Sequence, residues 1–278
     1  MMQLKSVFWE LFNSNTENEV DLVLKKYPKL FIDDNWHPYG DSTGNTGTFE
    51  NQQSSAIPAL VEKITNSIDA ILMKECFDNG INPKSEKAPK SMKEAVEVFF
   101  KVKNGEISEL LPSERSNLAN KLQIIATGKK DNVSILIYDA GIGQKHTEFP
   151  NTFLSLHNNN KADIHFVQGK YNMGSTGSVV FCGEKKYQLI GSIYNGSNRD
   201  NNDFGFTLVR RHPLNQNDAN VKMTWYEYFR PDKKIPFFNM KDADFGLIDN
   251  LKFNGGSIVK LYSYEFPSGS KGDISTDL

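Results

Sequence analysis

The sequence predicts an α+β fold, with helices gathered in its first half and strands in its second. Three observations predict it. Apolar residues repeat at helical spacing from Pro58 to about Phe77, the run Val133–Tyr138 (VSILIY) switches to a short buried-strand pattern, and further strand-like runs follow it closely. Helices followed by a block of strands favour an α+β sandwich over alternating βαβ units.

Taken in order, residues 1–31 carry Leu4, Val7, Phe8, Leu11 and Phe12, then Val20, Leu22, Val23 and Leu24, at spacings that suit two short helices. Residues 33–55 are rich in Asp, Asn, Gly, Ser and Thr and read as a loop into the helix that begins near Pro58. Proline suits a first helical turn because its missing N–H would be unpaired there. That helix places Leu60, Ile64, Ile68, Ile71 and Leu72 on one side and stops before Asn79-Gly80. A Lys/Pro/Ser-rich linker over residues 82–90 leads to two more helical patterns, about Met92–Lys103 and Ser113–Leu122. VSILIY then delivers Asp139 at the C-terminal end of a buried strand, and later strands are expected at Tyr187–Tyr194, Phe204–Arg210, Lys222–Phe229 and Ser257–Tyr264. The closing PSGSKGDISTDL, polar and rich in Gly and Ser, reads as a linker to a further part of a longer protein.

A length of 278 residues suffices for one large domain. Lys and Arg total 32 against 34 for Asp and Glu, a net charge of -2 that supplies no field for gathering polyanions. The local pairs Lys129-Lys130, Arg210-Arg211 and Lys233-Lys234 are better explained as solvated charges than as a nucleic-acid surface. Cys76 and Cys182 lack a CxxC partner and read as buried free thiols of a reducing cytosol. The first residues, MMQLKSVFWELFN, make no signal peptide, and no long apolar run follows, so a soluble cytoplasmic chain without membrane contact is expected.

Four constellations carry chemistry. In Glu62-Lys-Ile-Thr-Asn66-Ser-Ile-Asp69-Ala70, the residues Glu62, Asn66 and Asp69 share one helix face. Asn offers a neutral oxygen to magnesium and Glu can deprotonate a water, although a solvated face is the commoner meaning of such a pattern. In Asp139-Ala-Gly141-Ile-Gly143, glycines let backbone approach a ligand and the Asp presents an acceptor; a plain tight turn is the alternative. In Gln168-Gly-Lys-Tyr-Asn-Met173-Gly174-Ser175-Thr176-Gly177-Ser-Val-Val-Phe, a Gly-bearing turn enters an apolar helical start whose N–H groups suit phosphate, or are simply capped by Ser175 or Thr176. Gly255-Gly-Ser257-Ile-Val-Lys-Leu261 is a glycine turn into a strand, or an ordinary hairpin edge.

Their order and spacing resemble the GHKL family of gyrase-type topoisomerases, ninety-kilodalton heat-shock chaperones, histidine kinases and MutL mismatch-repair proteins. The resemblance covers about residues 57–264, and the phrase FVQGKYNMGSTGSVVFCG looks closest to uncharacterised prokaryotic ATP-binding proteins, some found near phage-defence genes. It implies the Bergerat ATP-binding fold, a two-layer sandwich with a mixed, mostly antiparallel sheet covered by helices on one face. It divides the chain into an N-terminal helical arm and loop (1–56), an ATP-binding domain (57–266) with a lid at about 144–173, and a linker (267–278). It makes Glu62 the general base and Asn66 the magnesium ligand. Asp139 accepts from the adenine amino group, Asp69, Ala70 and Ser257 line or brace the adenine pocket, and Gly141 and Gly143 shape its hinge. Met173, Gly174, Ser175, Thr176 and Gly177 hold the phosphates, with Lys161 of the lid reaching one of them.

The resemblance therefore implies a magnesium-dependent ATPase that closes its lid or forms a homodimer on ATP binding, with residues 1–31 as the candidate dimer arm. A non-hydrolysing ATP sensor is the alternative. A histidine kinase fits less well, because that branch places Asn where Glu62 stands and no phosphoacceptor helix surrounds His37, His146, His157, His165 or His212.

Overall fold

The computed structural model describes residues 2–156, 163–169, 176–196, 202–214, 224–240, 247 and 252–267. In chain order the helices and strands are α1 (Met2–Asn13), α2 (Glu17–Lys26), β1 (Trp36–Pro38), α3 (Thr46–Glu50), α4 (Ala56–Asp78), α5 (Met92–Phe100), α6 (Pro112–Ala119), β2 (Leu122–Lys129), β3 (Asn132–Asp139), β4 (Gln188–Ile193), β5 (Asp203–Arg211), β6 (Tyr226–Phe229), β7 (Phe237–Asn239) and β8 (Gly256–Leu261). The α+β class follows directly.

The strands form one eight-stranded sheet in the order β1-β6-β5-β4-β8-β3-β2, with β7 on the other half of β5. Every pairing among the described residues is antiparallel, so the parallel component of the expected mixed sheet is not seen there.

Helices cover both faces of the sheet, which corrects the expected single helical layer. Side chains alternate across a strand. On one face Leu136, Tyr138, Leu189, Phe204, Phe206, Leu208 and Ile258 pack with Val7, Phe8, Leu11 and Phe12 of α1 and Val20 and Val23 of α2. On the other, Ile135, Ile137, Ile190, Val209 and Leu261 pack with Phe49 of α3 and with Ala56 and Leu60 of α4. A sheet buried on both sides needs near-continuous apolar strands, and β4 is buried at every position.

Local chemistry sets the helix limits. α4 begins after Ser55 with Pro58 in its first turn, and it ends as expected at Asn79-Gly80: Gly80 has φ 68°, and the Ile81 N–H donates back to the Cys76 carbonyl at 3.0 Å. α5 stops at Phe100, short of the predicted Lys103, because Lys101 turns left-handed at φ 59°. The predicted helix Ser113–Leu122 ends at Ala119, and Leu122 already belongs to β2. Both cysteines are free and buried. Among the described residues no helix is long and apolar enough to cross a membrane.

The N-terminal helices are tied to the sheet by polar contacts as well. Lys260 on β8 is 3% exposed and donates to the Phe12 carbonyl at 2.6 Å, while the Tyr262 hydroxyl donates to the Leu11 carbonyl at 2.6 Å. Burial pushes the Lys260 ammonium down to about 8, against a weaker opposing pull from Glu19. Burial likewise lowers Lys63 to about 8. A lysine with a depressed folded-state value binds fewer protons folded than unfolded between that value and its ordinary one, so stability rises with pH across this window. Groups that burial raises work the other way, the Cys76 and Cys182 thiols from about pH 9 and tyrosines such as Tyr138, raised to about 12, from about pH 10. Thermal unfolding from pH 7.5 to 9 should therefore show a rising midpoint, and Lys260→Met should remove a share worth on the order of 1 kcal/mol. An unchanged slope in the variant would show that Lys260 ionises as freely folded as unfolded.

Candidate functional site

The four constellations meet where the ends of three neighbouring strands face α4. Register places Asp139 of β3 opposite Ser257 of β8, and Ser257 opposite Ser192 of β4, so the three side chains lie in one row across the sheet. All three are buried. The Ser192 hydroxyl donates to the Gly256 carbonyl at 2.9 Å, accepts from the Gln144 N–H at 2.9 Å and lies 3.0 Å from the Ser257 hydroxyl. A hydroxyl has one hydrogen, so with Ser192's committed to Gly256 the shared bond takes its hydrogen from Ser257. Ser257 then faces the site as an acceptor.

After β3 the chain turns tightly against the helix. The Asp139 carboxylate accepts from the Gly141 N–H at 3.0 Å, and the Ile142 N–H donates to the Ala70 carbonyl at 2.9 Å. Gly141 has no room for a side chain, since a Cβ there would come within 2.6 Å of Ala70. Gly143 has φ 62°, and a Cβ on it would lie 2.0 Å from the Ile193 carbonyl oxygen, so only glycine passes this point.

Along α4, Ala70 and Glu62 are separated by about 12 Å of helix rise. Asp69 is fully buried, and its carboxylate accepts from the N–H groups of Gln168 and Gly169 at 2.9 and 2.8 Å. Its observed contacts thus brace the start of the third motif. One turn earlier, Asn66 faces the same segment: a Cβ on Gly169 would reach its side-chain oxygen at 2.3 Å. At the far end, the Glu62 carboxylate accepts from the Gln53 side-chain amide at 2.8 Å, and Gly177 packs on Gln53, where an added Cβ would meet its Cγ at 2.8 Å. The Thr176 hydroxyl donates to the Gln52 side-chain oxygen, and Gln52 Nε2 is buried with no hydrogen-bond partner among the described residues. Lys63, beside Glu62, is buried within the fold.

The structure therefore links Glu62, Asn66, Asp69, Ala70, Asp139, Gly141, Gly143, Thr176, Gly177 and Ser257 by a continuous chain of contacts. Lys161, Met173, Gly174 and Ser175 lie outside the described residues, as do residues 157–162 and 170–173 of the expected lid. The described flanks of that stretch belong to the core, where Phe149, Leu154, Ile164, Phe166 and Val167 are buried. One expectation is corrected. The third motif does not open a helix, because Val179–Phe181 makes only a 3-10 turn before Cys182 bridges to Tyr264. Extended pairing takes the chain before a helix can propagate, so an anion here would meet loop N–H groups rather than the end of a helix.

No family model and no curated protein matches this chain. The chemistry of the site accordingly rests on its own geometry. That geometry adds three residues that the motifs omit. Ser192 carried a signal, being a polar residue inside the apolar run QLIGSI. Gln52 and Gln53 sit in a polar stretch without period and carried none.

Proposed function

We propose that this chain binds Mg-ATP and hydrolyses it slowly, as a GHKL-type domain on the Bergerat fold. The observation that carries the reading is the juxtaposition on α4 itself: Ala70, packed on Gly141 beside Asp139 and its strand partner Ser257, at one end, and Glu62, held by Gln53 on which Gly177 packs, at the other. An acceptor pair at one end suits an aminopurine, and a carboxylate at the other suits the phosphate end of the same ligand.

In this reading Asp139 accepts a hydrogen bond from the exocyclic amine of adenine, with Ser257 as the second acceptor and Ala70 as the apolar wall. The turn at Gly141 and Gly143 keeps backbone clear of the base. The neutral oxygen of Asn66, facing side-chain-free Gly169, fits a magnesium ion that would neutralise charge on the phosphate oxygens when bound. Glu62 takes the proton of the attacking water. Nucleotide state drives closure of the lid or dimerisation. Because α1 and α2 bury their apolar residues in their own core, an arm to a second protomer would use their outer side, where Leu22 is exposed.

Calorimetry of Mg-ATP binding to the wild type and to Asp139→Asn tests the assignment. The amide substitution replaces a charged acceptor by a neutral one, and the dissociation constant should rise roughly 10–100-fold. Absence of binding by the wild type sinks the nucleotide reading, whereas equal affinity in the variant moves the base away from Asp139.

A further inference from the structure

α3, which leads into the connection to α4, is anchored to the sheet. Asn45, 2% exposed, donates to the Tyr39 and Tyr226 carbonyls at 2.9 and 2.8 Å and accepts from the Tyr226 N–H at 2.8 Å. Phe49 of α3 stacks on Tyr226 with ring centroids 4.0 Å apart and planes 5° from parallel. Two residues past α3, this anchored segment presents Gln52 and Gln53 to different partners. Gln53 Nε2 reaches Glu62 on α4, and Gln52 Oε1 takes the hydrogen of Thr176 in the third motif.

The side-chain oxygen of Gln52 is used by Thr176, and its amide nitrogen, which carries two donor hydrogens, is buried without an acceptor among the described residues. Eight buried side-chain polar atoms lack a partner among the described residues, and what sets Gln52 Nε2 apart is its place beside Thr176 and next to Gln53, which holds Glu62; there its free hydrogens suit an acceptor that a ligand brings.

We propose that Gln52 and Gln53 form a clasp for the terminal phosphate, Gln52 donating an amide hydrogen to a phosphate oxygen and Gln53 holding the Glu62 carboxylate in position for the attacking water. The proposal rests on the ATP reading. It makes Gln52 a specificity residue that separates ATP from ADP, and Gln53 a positioning residue that acts through Glu62.

The test measures ATP and ADP affinities and single-turnover rates for the wild type, Gln52→Ala, Gln52→Glu, Gln53→Ala and Gln53→Ala combined with Glu62→Gln, with thermal unfolding of each. Gln52→Glu keeps the size and the acceptor for Thr176 but sets an anion against the phosphate, so it stays informative if Gln52→Ala does not fold. ATP affinity should fall at least roughly 10-fold in both Gln52 variants, with ADP affinity within about two-fold of the wild type. Gln53→Ala should slow turnover roughly 10-fold at unchanged ATP affinity and add nothing to Glu62→Gln, as two residues acting as one unit do. Equal weakening of ATP and ADP, or slowing by Gln53→Ala that adds to that of Glu62→Gln, overturns the clasp. A wild type that binds ATP while every glutamine variant behaves like it overturns the clasp alone; a wild type that binds no ATP overturns the nucleotide reading beneath it.

Discussion

Glu62→Gln should lower ATP turnover about 10²–10⁴-fold while leaving the ATP dissociation constant within about three-fold of the wild type. The substitution keeps the size of the side chain and an oxygen able to accept from Gln53 Nε2, so the contact between the α3–α4 connection and α4 survives. What disappears is the carboxylate that the reading makes the general base for the attacking water. Single-turnover kinetics beside calorimetry separate the two quantities. Full turnover in the variant would remove Glu62 from the chemistry. Loss of binding together with turnover would make it a ligand-holding group instead, and binding without turnover in the wild type would leave a nucleotide sensor.

Asp69→Ala should be the most destabilising single change at the site. Asp69 is fully buried, and both its carboxylate oxygens are engaged by backbone N–H groups, those of Gln168 and Gly169. Truncation leaves two part-buried donors without their acceptor and a void where the carboxylate was, a cost of about 2–4 kcal/mol that should lower the unfolding midpoint by about 5–10 °C. The same change frees the segment against which Asn66 rests, so phosphate-end affinity should fall even at temperatures where the variant stays folded. Asp69→Asn retains one acceptor and should fall between the two. An Asp69→Ala protein melting within about 2 °C of the wild type would falsify the bracing role.

Elements with a strong local period were legible. The residues of α4 pattern one helix so clearly that its expected limits, Pro58 and Phe77, differ from the observed Ala56–Asp78 by two residues and one. β3, β4, β5 and β8 announce themselves because burial on both faces demands apolar runs. β2 was not legible. Its segment LQIIATGK directly follows a helical pattern, it lies at the sheet edge, and its half-exposed side chains carry little period; pairing with β3 alone makes it a strand. β1 and β7, each of three residues, are too short for any periodic signal and exist because β6 and β5 offer free edges.

The same division holds at the candidate site. By itself the sequence determined the residues of α4, the end of β3 and the start of β8, because helical period, strand period and glycine conformational freedom are properties of neighbours along the chain. Only the tertiary structure decided that α1 and α2 cover the second face of the sheet, that Asp69 holds Gln168 and Gly169, that Ser192 joins the row of Asp139 and Ser257, and that Gln52 and Gln53 reach Thr176 and Glu62. Each of these is a contact between residues remote in sequence or separated by an irregular turn. Such contacts arise from the requirement that buried polar groups find partners wherever the packed chain brings them, and no local pattern encodes which partner that will be.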